Sequence, residues 1–268
     1  MDYKFFKNRV VIITGGASGI GLATCKELAK HGARIAMLDM DKKFLEKCKK
    51  TFLDKGHDIL ALECDVTNEN ACKDSIDQVL KEFGQIDILF NNAGITQRGL
   101  FENTEITVFK KVMDINFFGS LYCTKAALPS LIESKGMILV NESIAGVAPL
   151  LGRTGYSASK HALHGMFTSL RCELRHTGVH VMIVCPGFIK TNLQTRALGG
   201  DGKIASHEQT TVGKSDTPEN VAKQIVNGII KKNPMLVLTL IGKISYHISR
   251  FFPQLYEHIM TRQLKDEL

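Results

Sequence analysis

The sequence predicts an α/β protein with a doubly wound, mainly parallel sheet of seven strands flanked by helices, and three observations predict it. Short continuous runs of Val, Ile and Leu, such as RVVIIT (9 to 14), alternate in strict order with stretches of helical length. These runs lack the polar alternation of half-exposed strands, as expected when helices cover both faces of a parallel sheet. The first run leads into a glycine cluster, TGGASGIG (14 to 21), where a strand should meet a helix. Regular β-α alternation of this kind argues for parallel strands joined by helical crossovers.

The elements follow in order along the chain. RVVIIT reads as the first strand and GIGLATCKELAKHG as a helix stopped by Gly32. ARIAMLDM (33 to 40) is a strand, DKKFLEKCKKTFLDKG a helix, and DILALECDV (58 to 66) a strand. ENACKDSIDQVLKEFG is a helix and IDILFNNAG (86 to 94) a strand, followed by two helical segments around 104 to 134. GMILVNES (136 to 143) is a strand, YSASKHALHGMFTSLRCELRHTG a long helix, and VHVMIVCPG (179 to 187) a strand. From Thr191 to about Thr217 the pattern breaks into a polar Gly/Ser/Thr-rich loop, of a length found in functional lids or disordered segments. A helix resumes with Thr217 as N-cap, Pro218 in its first position and Glu219 at the positive end of its dipole. LVLTL (236 to 240) reads as the last strand. No composition shift divides the chain, so residues 1 to 268 are expected to form one domain.

A C-terminal helical extension follows. Ile244, Ile248, Phe251, Phe252, Leu255, Ile259 and Met260 fall near one stripe, with Lys243, Arg250, His258 and Arg262 largely elsewhere. Pro253 should start a new helix or kink the old one. Three readings stand: packing on the domain or a second subunit, a lid over an apolar substrate, or a peripheral membrane contact of basic amphipathic type.

Composition narrows the function classes. Apolar residues make up 44% and charged residues 23% of 268, an ordinary globular balance with core enough to need no staples. The net charge of +7 is spread among acidic neighbours, as in DKKFLEKCKK, which suits solvated helix faces and not a nucleic-acid stripe. Seven cysteines, with no CxxC pair, read as buried free thiols of a reducing compartment. No signal peptide is read ahead of Arg9, and no run of about 18 apolar residues could span a bilayer. A cytoplasmic location is expected, and the closing KDEL is then coincidence rather than an endoplasmic-reticulum address. His161 and His164 have no evident third ligand, so no metal is expected.

The chemistry begins in the glycine turn. Gly15, Gly19 and Gly21, with Ser18 and Ile20 between them, would let backbone N–H groups approach a pyrophosphate at a helix N-terminus. Asp39, closing the second strand, can accept ribose hydroxyls and would repel a 2′-phosphate; capping the next helix suits Asp41 better. No cation stands at position 40 or within the turn, which favours NAD, while Lys42 and Lys43 keep NADP open. Tyr156 and Lys160 stand one helical turn apart, a spacing that by itself marks only a shared helix face.

Taken together, these residues resemble the short-chain dehydrogenase/reductase family in its single-domain branch. TGGASGIG is similar to its cofactor turn, and CDV, with Asp65 and Val66, to its adenine-pocket segment. NNAG, with Asn92, Ala93 and Gly94, is similar to the motif ending the fourth strand. Asn116, Ser143 and YSASK fit the catalytic set, and PGFIKT, with Pro186, Gly187, Ile189 and Thr191, fits the segment contacting the nicotinamide amide. The likeness runs from about 8 to 191 and thins beyond.

The resemblance implies a Rossmann-type fold and hydride transfer between nicotinamide and a secondary alcohol or ketone, and the apolar C-terminal segment suggests an apolar substrate. Tyr156 would be the general acid/base, Ser143 would hold the substrate oxygen, and Asn116 a water of the proton relay. A free tyrosine titrates near about 10, too high for transfer near neutrality. Lys160, with the positive charge of an oxidised nicotinamide, would favour the phenolate and lower that value, and it would also hydrogen-bond the nicotinamide ribose. A homodimer or homotetramer is implied through the helices around 104 to 134 and 156 to 177. Two rivals remain: an NADPH-dependent reductase of a lipid or acyl carbonyl, and a non-catalytic dinucleotide-binding regulator. Glu142 departs from the family, which often has a second serine there. Side-chain alternation should turn Glu142 to the other face, as a structural carboxylate with a nearby partner. Arg98 and TQRGLFENTE (96 to 105) border the substrate mouth or form a surface loop.

Overall fold

The computed structural model describes residues 2–205 and 215–265. Its centre is a seven-stranded sheet: β1 (Val10–Thr14), β2 (Arg34–Asp39), β3 (Ile59–Glu63), β4 (Ile88–Asn91), β5 (Met137–Asn141), β6 (His180–Cys185) and β7 (Met235–Val237). The spatial order is β3-β2-β1-β4-β5-β6-β7, and every adjacent pair is parallel. The unbroken Val/Ile/Leu runs are explained by burial on both faces. Along β1, Val11 and Ile13 face a core shared with Leu28, Leu45 and Ile225, while Val10 and Ile12 face one shared with Ile76, Leu131 and Phe167. Each such side chain, fully buried, stabilises the fold by roughly 1.5–3 kcal/mol.

The first layer holds α1 (Gly19–Lys30), α2 (Lys42–Leu53) and α8 (Pro218–Ile230); the second holds α3 (Glu69–Phe83), α5 (Gly119–Glu133) and α6 (Thr154–Glu173). Side-chain caps start several of them: Asp41 accepts from Phe44 N, Asn68 from Ala71 N and Thr217 from Asn220 N. Chain order reverses across β1 and β4, so their carboxyl ends open the crevice in which such sheets bind ligands.

Several boundaries differ from expectation. The fourth strand stops at Asn91, because Asn92 and Ala93 turn out to donate to the Thr14 side chain. The helical segments around 104 to 134 are one nearly continuous rod, α4 (Ile106–Met113) joined to α5 by a π-helical turn, Asp114–Phe118. LVLTL contributes only Leu236 and Val237 to β7, since the Thr239 side chain accepts from Gly242 N and starts α9 (Leu240–Phe251). The loop after Thr191 holds a short helix, α7 (Asn192–Thr195), and bridges from Leu198 to Gln97 and Ile204. Residues 206–214 of that loop, and the end of KDEL, lie outside the described residues. Six cysteines are buried as expected, but Cys172 is exposed on the outer side of α6.

In the C-terminal extension, Pro253 does start a new helix, α10 (Pro253–Gln263). The expected single packed stripe is not what packs. Ile248 and Met260 meet Ile144, Ala148 and the buried Tyr256, whereas Leu240, Ile244, Phe251, Phe252 and Leu255 are exposed. The face that docks is fastened by polar groups as well. Tyr256 Oη donates to the carbonyls of Ala148 (3.2 Å) and Pro149 (3.0 Å), and Ser249 Oγ to that of Val147 (3.1 Å). No described helix is long and apolar enough to cross a membrane.

Candidate active site

The glycine turn has the geometry its residue types demand. Gly15 and Gly19 have φ of 61° and 52°, in the left-handed region that side chains avoid. A Cβ at Gly21 would strike the Gly15 carbonyl and the Asn92 amide, so α1 can begin this close to β1 only with glycine there. Asp39 is held by two backbone donors, Ala17 N to Oδ2 (3.0 Å) and Asp41 N to Oδ1 (3.1 Å). Each carboxylate oxygen keeps acceptor capacity beyond that bond.

A chain of hydrogen bonds runs from this turn to Lys160. Thr14 Oγ1 accepts from Asn92 N and Ala93 N, both at 3.0 Å. Asn92 Nδ2 donates to the carbonyls of Thr14 (2.9 Å) and Gly15 (3.1 Å), and its Oδ1 accepts from Asn141 Nδ2 (2.9 Å). Lys160 Nζ donates to the Asn141 carbonyl at 2.7 Å. The carboxyl ends of β1, β4 and β5 are thereby tied to α6.

Tyr156 and Lys160 are both buried on α6, with the ammonium 5.7 Å from the ring centroid. Ser143 Oγ accepts from Ala145 N at 3.1 Å, and Ser143 and Tyr156 line the same cavity. Burial raises the Tyr156 pKa; the Ser143 hydroxyl and the nearby Arg153 pull it down, and Glu142 pushes it up. Without a bound nicotinamide, burial is the largest influence on this tyrosine, and Arg153 is the cation that opposes it. Lys160 is itself lowered to about 8, by burial first, with Glu142 opposing.

Asn116 is wholly buried in the π-turn. Its Oδ1 accepts from Ile95 N (2.8 Å), and its Nδ2 donates to Ile95 O (3.0 Å) and Ser159 Oγ (2.9 Å). Ser159 Oγ in turn donates to the Tyr156 carbonyl (2.8 Å). The amide is thus a strap between the segment after NNAG and the helix of Tyr156, and its Oδ1 keeps acceptor capacity beyond the bond from Ile95 N. Glu142 has the nearby partners that were expected, His164 Nδ1 at 3.1 Å and Cys185 Sγ at 3.3 Å, but it is also among the residues of the cavity wall.

A cavity of about 1130 Å³ joins these groups. Its wall takes Gly15, Ser18, Gly19 and Ile20 from the turn, Asp39 from β2, and Asp65 and Val66 after β3. Asn92, Ala93 and Gly94 line it, with Ser143, Tyr156 and Lys160, and Pro186, Gly187, Ile189 and Thr191 beyond β6. Gly21 and Asn116 are not on the wall; each supports a residue that is. Arg98 is buried but is not on the wall either. The residues present fit a dinucleotide: the glycine turn leaves no room for side chains, and the Asp39 carboxylate stands on the same wall.

Sequence reading missed Thr14, Asn141 and Ser159, common polar residues whose role depends on neighbours far along the chain. Arg153 carried a signal, a cation just ahead of Tyr156 in GRTGY. Ile144, Leu150, Phe188 and Leu193 add an apolar stretch of wall. Thr239 at the start of α9 packs behind Gly187, where a Cβ would come within 2.9 Å of its Oγ1. Among the described residues no cluster could hold a metal ion.

A cleft at the strand-order switch, with a glycine turn on one wall and a tyrosine–lysine pair on another, defines a dinucleotide-dependent oxidoreductase. The family model described as short chain dehydrogenase matches residues 9–199, and the chain belongs to the short-chain dehydrogenase/reductase family. It is 34% identical to a dehydrogenase/reductase SDR family protein 7-like of Drosophila melanogaster, over 95% of this chain and 80% of that one. A short-chain dehydrogenase/reductase from Burkholderia phymatum, solved in complex with NAD, has a TM-score of 0.83 at 21% identity, covering 93% of this chain and 95% of its own. An alcohol dehydrogenase from Thermococcus sibiricus, complexed with 5-hydroxy-NADP, has a TM-score of 0.74 at 24% identity, covering 86% and 95%. At those identities the two structures establish the shared fold.

Proposed function

We propose that this chain is an NAD(H)-dependent oxidoreductase interconverting a secondary alcohol and a ketone. The observation that carries the reading is the placement of Ser143, Tyr156 and Lys160 on the wall of the cavity that the glycine turn and Asp39 also line. A bound nicotinamide would supply or take up the hydride; the chain's own part is the proton. In reduction, Tyr156 gives its phenolic proton to the substrate oxygen as the carbonyl electron pair collects there, and Ser143 donates a hydrogen bond to that oxygen. Lys160, anchored on the Asn141 carbonyl, stabilises the phenolate left behind and reaches toward the ribose. In oxidation the same proton returns to Tyr156. Asn116 positions the Ile95 segment and the Tyr156 helix. Tyr156→Phe should abolish turnover of a panel of aliphatic and alicyclic ketones yet spare NADH binding, and undiminished turnover would sink the mechanism.

Asp39 favours NAD, since its carboxylate would repel a 2′-phosphate. A second reading, an NADPH-dependent reductase, draws on Lys42, Lys43 and Arg196, which line the same cavity. Parallel titrations with NADH and NADPH separate the two. The apolar wall at Ile144, Leu150, Phe188 and Leu193 suits a ketone on an apolar frame.

The outward face of α9 suggests where such a substrate comes from. Leu240, Phe251 and Phe252 are 74%, 69% and 64% exposed, beside exposed Lys243 and Arg250, and no acidic residue occurs between Glu219 and Glu257. This face suits an anionic lipid surface, on the cytoplasmic side of a membrane. Salt-sensitive sedimentation with phosphatidylserine vesicles, lost in Phe251→Ser/Phe252→Ser, would support it; equal sedimentation of both proteins would remove it. Assembly as a homodimer or homotetramer through α4–α5 and α6 belongs to the same reading, and sedimentation equilibrium tests it.

A further inference from the structure

The helix that carries Tyr156 begins without a cap of its own. Arg153 stands at the N-cap of α6, and its side chain, which has no acceptor, makes no capping bond. The first bond within the helix is Ser157 N to the Arg153 carbonyl (2.8 Å), so the N–H of Tyr156 falls in the turn that needs an outside acceptor. Gln97 supplies it. Tyr156 N donates to Gln97 Oε1 at 3.4 Å, as the third helical N–H donates to a serine or aspartate cap elsewhere. The Gln97 side chain is fully buried, and its Nε2 donates to the carbonyls of Gly99 (2.9 Å) and Gly152 (3.5 Å). Its backbone pairs with Leu198 of the loop beyond β6: Arg98 N donates to Leu198 O (2.7 Å) and Leu198 N to Thr96 O (2.9 Å). A Cβ at Gly155 would come within 3.4 Å of Gln97 Oε1 and 2.9 Å of the Phe109 ring, so a glycine in the first turn of α6 lets the amide approach.

We propose that Gln97 is a positioning residue that caps the Tyr156 helix from outside and fixes where the phenol stands. This rests on the reading of Tyr156 as the proton donor. Gln97 is not on the cavity wall, so it acts through the Tyr156 backbone and not on the substrate or cofactor. Tyr156 lies in the third position of α6, within the turn that frays when its N–H groups lack acceptors. Lys160, one turn further in, is anchored separately on the Asn141 carbonyl. The two members of the pair thus have different fastenings, one on a strand end and one on a single buried amide. Because the backbone around Gln97 also pairs with Leu198, the loop beyond β6 and the start of the Tyr156 helix are tied at the same residue.

Gln97→Met keeps the length of the side chain and removes its acceptor and donors. In protein labelled with nitrogen-15 tyrosine, the Tyr156 amide, assigned by its loss in Tyr156→Phe, reports the bond without substrate or cofactor. Its proton resonance should move upfield in Gln97→Met and downfield in Gln97→Glu, whose carboxylate is the stronger acceptor. The opposite shift in the glutamate variant carries the test should the methionine variant fold poorly. With the ketone that the wild type turns over best, kcat should fall by about ten- to a hundredfold in Gln97→Met, while KM and the NADH dissociation constant stay within about twofold. A Tyr156 amide unmoved in the variants that fold overturns the proposal, as does an undiminished kcat or a loss of NADH affinity in step with kcat. Turnover surviving in Tyr156→Phe would instead overturn the underlying reading, leaving the amide shift still measurable.

Discussion

Replacing Asn116 by leucine separates a strap from a chemical participant. The two side chains are similar in size, so the change removes hydrogen bonds more than volume. Three are lost: Ile95 N to Oδ1, Nδ2 to Ile95 O, and Nδ2 to Ser159 Oγ. Ser159 keeps its own donation to the Tyr156 carbonyl, which leaves the two backbone groups of Ile95 as the principal orphans. An unsatisfied buried group costs roughly 1–3 kcal/mol, giving about 2–6 kcal/mol for the pair. Ile95 is only half-buried, so water recovers part of this and the lower half of that range applies. Urea unfolding with an unchanged m-value should therefore show a loss of about 2–4 kcal/mol. NADH affinity should fall as well, since Gly94 and Ile95 line the cavity. A variant as stable as the wild type, binding NADH equally and failing only in turnover, would refute the strap and return the amide to the chemistry.

Lys160 should cost the fold stability at neutral pH. Its pKa is about 8 when folded against 10.5 when free, so between these values the unfolded chain binds more protons and stability rises with pH. Below pH 8 the cost is present in full, about 3 kcal/mol by linkage. Lys160→Met, which also loses the bond to Asn141, should stabilise at pH 7 by about 1–2 kcal/mol in urea unfolding, a gain that shrinks between pH 8 and 10.5. Gly21→Val should abolish NADH binding, read by protein-fluorescence or calorimetric titration, because its Cβ would strike the Gly15 carbonyl. Asp39→Ala should narrow the ratio of NADPH to NADH dissociation constants by removing the carboxylate that repels a 2′-phosphate. Tyr256→Phe removes the donor to the carbonyls of Ala148 and Pro149 and should cost about 1 kcal/mol. Faster hydrogen exchange in α9 and α10 would accompany it, and KM should rise with kcat held, since the loosened segment leads to Leu150 on the cavity wall.

What could be read from the sequence was what depends on local backbone or on period. Gly15 and Gly19 announce themselves because few other residues tolerate their φ, and the strands because both faces are apolar. Where NNAG leaves the sheet could not be read, because that exit is dictated by the Thr14 hydroxyl, far away along the chain. Asn141 and Ser159 were invisible for the same reason. The C-terminal stripe misled because α9 is apolar on two sides: Tyr246 and Ile248 pack inward, while Leu240, Ile244 and Phe251 point out. Periodicity reports that a face is apolar and not what covers it.

The catalytic pair shows the limit most sharply. Spacing places Lys160 one turn from Tyr156, and a neighbouring cation should favour a phenolate. Enclosure of the pair acts the other way on both groups: it raises the tyrosine and lowers the lysine, each resisting its charged form. Two buried groups left to desolvation alone would both be neutral, with no charge to transfer against. The charged residues that shift this balance, Arg153 toward the phenolate and Glu142 toward the ammonium, lie just outside the YSASK motif. Glu142 pulls against Arg153 at the tyrosine while raising the lysine, so burial sets the direction for both groups and neighbours that the motif does not contain adjust it.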